Sequence, residues 1–508
     1  MSCSETIHDK EGLPDKLIDG DRLKVSTELN ASAFGELQVA NLNPVTQISA
    51  QYGLLTNVLT VADESASGTN SVIDEMYTCQ TGTAVDGLAS ILTLRQLAYR
   101  AGQGALARFT ALFTDGVDDS SQAAGLITAE NLFGFGFIGT NFGIIYARDG
   151  HDELQELTLT VAAGGAENAT VTIDGTEYTV ELSGIGTVEG DAFEIAESLN
   201  SQISNYNFSS NEGQVVAQAV LSTPQSSFAY TSSTSTGVWV QLLAGAEADI
   251  DFIPQSTWNI DTRISSDSDI NLDPTMGNVY QIQFQYLGFG AINFFVEDKD
   301  SGELVLVHRI KFGNSSMLTS VNNPTFRIGW VARNTGNNTN VTVRGGSAAG
   351  FIEGPIFRDT PSRSVTNDQL SIGSTQTNIV SIRNRFTFSD KVNRAEVFPL
   401  IIAGSTQANK FALFKIIVDP VYAAPVVFSY VDKVSSLVEV ATDSVGVTGG
   451  TEIGAVLIVA GPSLVTKFNN ILNTVTALYP NSTFAITAEI PSGSAADCQV
   501  ALTWQEDL

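Results

Sequence analysis

The chain has 508 residues, 43% of them hydrophobic and only 16% charged, with 55 acidic against 25 basic side chains and a formal net charge of −30. That length exceeds one ordinary core, so two to four domains are expected. The acidic balance argues against nucleic-acid binding, which needs Lys and Arg on phosphates, and no run of 18 apolar residues suggests a transmembrane helix.

The charge is uneven. From Asp149 to Asp300 there are 23 acidic residues against Arg263 and Lys299, while 11 of the 25 basic residues lie from Arg327 to Lys415. The acidic region reads as a solvated face, and the basic one as a candidate contact for an acidic neighbour, including another copy of the chain. Neutral Ser, Thr, Asn and Gln carry much of the remaining polar surface, which lowers the desolvation cost of packing subunits together. Cys3, Cys79 and Cys498 are widely spaced and contain no C-x-x-C, so neither a zinc site nor a disulfide framework is expected. The N-terminus MSCSETIHDKEGLPDK has no apolar stretch of signal-peptide type, which implies synthesis in a cytoplasm.

In chain order, residues 1–30 are polar and charged and read as an arm that orders only against a partner. Short β segments follow at 35–40, 45–49, 58–61 and 76–80. Residues 88–100 (LASILTLRQLAYR) fit a helix or two strands, 108–113 alternate as a strand, and 133–147 (FGFGFIGTNFGIIYA) read as a glycine-punctuated hairpin. Beyond Asp149, strands at 157–161, 169–173 and 178–182 surround the turn Asp174-Gly175. Residues 192–204 have helical spacing, with Asp191 and Glu194 outlining a capping box. Strands at 214–221 and 238–243 complete an acidic α+β unit inserted into a β domain.

The period-2 signal is strongest at 278–312. Tyr280, Ile282, Phe284 and Tyr286 alternate with Gln281, Gln283 and Gln285, and two further strands (291–296, 304–312) make a meander with His308 on its last strand. Residues 358–376 are polar and read as a crossing segment. Eight strand signals between 379 and 504 then give a second sandwich or jelly roll. The expected organisation is mainly β and multidomain. It comprises an arm (1–30), a discontinuous β-sandwich (31–150 plus 255–357), an acidic α+β insert (151–254), a connector (358–377) and a C-terminal β-sandwich or jelly roll (378–508).

Motifs that carry chemistry are few. Gly134-Phe135-Gly136-Phe137-Ile138-Gly139 matches G-x-G-x-x-G, but a β-type run follows where a dinucleotide site needs a helix N-terminus. Asp267, Asp269, Asn271 and Asp273 place oxygen ligands at every second residue, as calcium loops do. Leu272 and Asn278 stand where an EF-hand needs glycine and a bidentate glutamate, so an acidic surface loop is the better reading. His8, His151 and His308 carry no G-x-S-x-G or H-E-x-x-H context. Asp249/Asp251 and Glu297/Asp298 are carboxylate pairs of the sort any acidic chain offers. Phe284, Tyr286, Phe289, Phe294, Phe295 and Trp330 offer stacking surfaces for sugars, but alternation assigns Phe284, Tyr286 and Phe294 to a core face. No catalytic residue or cofactor site is assigned.

Several segments together resemble a family of uncharacterised virion proteins of aquatic tailed phages and large DNA viruses. They are Phe34-Gly35-Glu36-Leu37, Asn43-Pro44-Val45-Thr46-Gln47, Tyr99-Arg100-Ala101-Gly102-Gln103-Gly104 and 108–114 (RFTALFT). Further on come 256–261 (STWNID), Leu272-Asp273-Pro274-Thr275, Gly277-Asn278-Val279-Tyr280, 285–290 (QYLGFG), 348–354 (AAGFIEG) and 378–385, with the likeness reaching Trp504. Ala101 stands where the family pattern usually has proline, and the acidic arm is outside the likeness. The resemblance implies a structural protein of the particle with no catalytic residues. As expectations it gives a tail fibre, spike or adsorption component, trimeric with itself, contacting other virion proteins and a host surface glycan or receptor. A capsid shell or decoration protein is the alternative, and a virion-associated polysaccharide hydrolase a third.

Overall fold

The computed structural model describes residues 18–19, 22–23, 40–56, 58–219, 226–264, 271–355, 360–407, 410–459 and 477–507. The expected N-terminal arm and most of the 35–40 segment lie outside these residues, apart from a two-stranded ladder of Ile18–Asp19 with Arg22–Leu23.

The mainly β, multi-sandwich class is what the chain adopts, in sheets whose named strands all pair antiparallel. Two large sheets enclose the first core. One runs Asp249–Pro254, Asn141–Arg148, Leu132–Ile138, Ser120–Ile127, Thr325–Asn334, Leu88–Thr93, Thr60–Ser65, with Leu97–Ala98 also beside Thr325–Asn334. The other runs Leu304–Ile310, Ile292–Glu297, Asn278–Phe284, Ala105–Phe113, Thr342–Gly345, Met76–Gln80, Thr69–Ile73, and Ser347–Glu353 ties Ala105–Phe113 to Leu42–Ser49. The ambiguous 88–100 segment is two strands. The meander forms as read: Tyr280, Ile282, Phe284 and Phe294 are buried, and Tyr280 packs between Phe109, Phe113 and Phe135.

Glycine at two places follows from close approach. A Cβ on Gly136 would run into the Gln122 carbonyl oxygen of the neighbouring strand, and one on Gly345 would enter the Trp330 indole. The G-x-G-x-x-G stretch is therefore one strand of a hairpin with Asn141–Arg148, turned at Gly139 with φ 57°.

A separate core lies between residues 157 and 219. Its four-stranded sheet is Tyr206–Asn211, Gln214–Ala219, Leu154–Val161, Thr236–Leu243, and its three-stranded sheet is Thr176–Leu182, Glu167–Ile173, Phe228–Thr231. The helix Val188–Gln202 buries Ala192, Ile195, Ala196 and Leu199. Its start differs from the expected capping box. Thr187 is the N-cap, accepting from the Gly190 N–H at 3.1 Å. Asp191 lies inside the first turn, buried, and accepts from the Ala163 N–H at 2.6 Å; Glu194 instead accepts from the Ser183 N–H at 2.9 Å.

The third core gathers residues 372–504, with Trp504, Phe414 and Ile486 fully buried. A three-stranded sheet (Arg363–Ile372, Ala496–Asp507, Glu396–Thr406) faces a six-stranded one in the order Ser429–Tyr430, Val438–Ala441, Thr377–Asn384, Thr483–Glu489, Phe411–Tyr422, Val447–Val459. The polar stretch read as a crossing segment contributes the ten-residue strand Arg363–Ile372. It pairs along Ala496–Asp507, so its backbone is satisfied by the ladder although its side chains are largely polar.

Candidate functional site

The three cores meet where the middle one is tethered. Its chain leaves from Asn141–Arg148 and returns through Asp249–Pro254, which pair antiparallel, and His151 and Ala246 exchange both backbone hydrogen bonds at 2.9 Å. The insert thus hangs on a two-stranded neck rather than on two loose linkers. Just inside the neck stand two adjacent carboxylates, Asp152 and Glu153, both buried.

Their surroundings differ. Glu153 accepts from Gln155 Nε2 at 2.8 Å, the Ser226 N–H at 2.9 Å, Gln241 Nε2 at 3.3 Å and the Tyr206 hydroxyl at 2.7 Å. Among the described residues Asp152 accepts from Gln218 Nε2 alone, at 2.9 Å on Oδ2, and its buried Oδ1 meets no donor. Burial raises the Asp152 carboxyl to about 6, against the pull of the Arg394 guanidinium. Across from it, Arg394 forms an ion pair with Glu130 at 3.3 Å, and Arg95 one with Glu396 at 3.5 Å; Arg100 pairs with Asp507. Each of these pairs joins the first body to the C-terminal one. Arg327 donates to the Thr93 carbonyl at 2.8 Å, and burial lowers its guanidinium to about 10. Burial also raises Asp63 nearby.

A second contact ties the insert to the C-terminal body. Arg383 reaches Glu439 Oε2 from Nε at 2.9 Å and from Nη2 at 2.7 Å, donates to the Ser210 carbonyl, and lies 4.1 Å over the Phe428 ring. Asn211 donates to the other Glu439 oxygen. Two N–H groups of one stacked guanidinium converging on a single carboxylate oxygen suit Arg better than Lys.

Three hollows follow from this assembly. One of about 420 Å³ is lined by Asp63, Gln96, Asp152, Asn207, Arg327 and Asn481, drawn from all three bodies. A larger one of about 1000 Å³ lies beside it against Tyr99, Arg100, His151, Pro324, Lys391 and Arg394. The third, about 490 Å³, is framed by Phe193, Asn200, Ser209, Arg383 and Tyr422. The sequence singled out His151 as a scattered histidine and Tyr99 and Arg100 within the family likeness, but did not bring these groups together. Their signal was the cluster of basic residues at 327–415, of which Arg394 pairs with Glu130 of the first body and Arg383 with Glu439 of its own body.

Apart from His151, Asp249 and Asp251 at the neck, the sequence-derived candidates fall elsewhere. Asp267 and Asp269 lie outside the described residues. Asn271 is exposed, and Asp273 Oδ1 accepts from the Thr275 N–H at 2.9 Å and its hydroxyl at 2.6 Å, a turn leading into Asn278–Phe284. Among the described residues no group of three His, Cys, Asp or Glu side chains is arranged to hold a metal ion. His308 accepts the Asn259 N–H on Nδ1 at 3.1 Å, and burial pushes its pKa down. Asp298 is drawn to about 2 by the Ser301 N–H and Arg263, which makes it a turn-former. Asp249 and Asp251 lie opposite Arg148 and Tyr146 along the neck. Of the aromatic set, Phe284, Phe294 and Trp330 are buried, and Phe289 is 44% exposed. Cys79 and Cys498 are buried free thiols.

No protein-family model matches the chain, and no curated protein matches it. Among solved structures, peanut lectin with a nine-residue peptide is similar at 10% identity over 61% of this chain and 99% of the lectin, with a TM-score of 0.21. The atomic structure of Sulfolobus turreted icosahedral virus is similar at 8% identity over 92% of this chain and 99% of that one, with a TM-score of 0.15. Likenesses this distant carry no argument about function.

Proposed function

We propose that the chain is a structural protein of a virus particle, a tail fibre, spike or adsorption component that assembles with copies of itself and recognises the host surface. The observation that carries this reading is the junction. Ion pairs join the first and C-terminal bodies beside one neck, and hydrogen bonds of Ser210 and Asn211 with Arg383 and Glu439 fasten the insert to the C-terminal body, a design that makes a long chain a single mechanical unit. Two further features support it. The middle body is strongly acidic and tethered at one end, which leaves its far loops free to meet a partner. Val238 and Val240 stand 64% and 52% exposed on one face of the strand Thr236–Leu243, apolar surface of the kind that assembly covers. The role needs no cofactor, nucleic acid or membrane insertion, and we assign no catalysis to it. Among the described residues no helix is long and apolar enough to cross a membrane.

The test uses the purified full-length chain in light scattering and in binding to host cells. A trimer that binds cells is the expected result. A stable monomer that binds no host cell would overturn the fibre or spike role.

A further inference from the structure

The neck holds two neighbouring carboxylates, and only one of them is provided for. Glu153 has donors for both oxygens, whereas Asp152, 4% exposed, has one oxygen without a partner among the described residues. The groups facing Asp152 come from every body that packs there. Its own segment supplies His151, and the insert supplies Gln218. The first body supplies Glu130, Arg327 and Asp63, and the C-terminal body supplies Arg394. Behind this layer stand Arg95, Glu396 and Tyr479. Arg394 is the main source of compensation, but it is shared with Glu130, and its Nε has no hydrogen-bond partner among the described residues. A partly satisfied buried network of this kind is less favourable than either a complete one or an apolar one.

We propose that this junction is a proton-controlled latch: Asp152 clamps the insert against the other two bodies when it carries a proton and loosens the neck when it is ionised. The neutral carboxyl tolerates burial and becomes a donor in a hollow where Gln96 Oε1 lacks one among the described residues. The carboxylate is stabilised by opening, which lets water reach its empty oxygen and the Arg394 Nε.

The sign follows from linkage. The folded-state value, about 6, lies above the ordinary 3.8. The stabilising effect of the proton is therefore complete below about pH 4 and is lost as pH rises through about 6. For opening that fully hydrates Asp152, the open population rises about tenfold between pH 5 and pH 8.

Hydrogen exchange of the full-length protein, corrected for the intrinsic pH dependence of amide exchange, reads this directly in the peptides spanning 148–154 and 244–250. Expected is roughly tenfold faster neck exchange at pH 8 than at pH 5 in the wild type, and slow exchange at both in Asp152→Asn, which mimics the neutral acid. Glu130→Gln, which leaves Arg394 to Asp152 alone, moves the wild-type midpoint to lower pH. Neck exchange that is equal at the two pH values in the wild type, or a midpoint unmoved by Glu130→Gln, would overturn the latch.

Discussion

Gly345 and Trp330 show how tightly single residues are specified here. Trp330 is fully buried, its Nε1 donates to the Thr110 carbonyl at 2.9 Å, and its ring occupies the space a side chain at 345 would need. Gly345→Val therefore overpacks the core and lowers stability by about 1–3 kcal/mol, and Trp330→Ala removes about 3–5 kcal/mol, both read from denaturant melts. Glu167 is a second case. The loop 232–235 wraps its carboxylate with the Thr234 and Ser235 N–H groups at 3.0 Å and the Thr234 hydroxyl at 2.9 Å, and hydroxyls of Ser232 and Ser233 bring it to about 2. A depressed carboxyl adds order above its ordinary pKa of 4.5 and loses it as pH falls through about 2. Glu167→Gln should thus speed amide exchange in 232–235 at pH 7, and the wild type should match the variant only near pH 2. Equal rates at pH 7 would contradict this account. Residues such as Glu167 and Asp152 were not legible in the sequence, because what distinguishes them is the donors brought from 65 or more positions away.

At the scale of elements, alternation was a dependable guide wherever one strand face is buried and the other polar. The meander is the clearest example, since Gln281, Gln283 and Gln285 mark every second position. The helix was found from its apolar spacing, but its start was misplaced by a turn: Asp191 was read as the cap, while Thr187 four residues earlier does the capping. The strand Arg363–Ile372 was missed because its sequence, RSVTNDQLSI, is mostly polar and its stability comes from the ladder with Ala496–Asp507. Sheet order was not legible at all, since it joins strands hundreds of residues apart, as Thr342–Gly345 with Met76–Gln80. The junction belongs to this scale too. Removing one partner of the Arg383–Glu439 pair leaves a charge buried alone, so Glu439→Leu should destabilise by about 3–5 kcal/mol, while Arg383→Met with Glu439→Leu together should recover most of the loss. Calorimetry of the single and double variants checks this, and equal losses in all three would contradict it.

For the whole molecule, the sequence indicated a β-rich, many-domain chain and a likeness to particle proteins, but not the way the bodies are locked. That lock is a set of ion pairs between the first and C-terminal bodies, with hydrogen bonds from Ser210 and Asn211 fastening the insert, and it takes a folded chain to place Arg394 beside Glu130. It predicts that the three bodies move as one in solution at pH 5, with scattering curves that match the folded structure. Scattering at pH 8 should show a larger radius of gyration as the insert loosens, and no such growth in Asp152→Asn. The central claim reaches further, to a place on a virus particle. Cryo-electron microscopy of intact particles tests it most directly: repeated copies of this chain should be traceable in a projecting oligomer, with the acidic insert facing outward. Purified particles that contain no copy of the chain would contradict it.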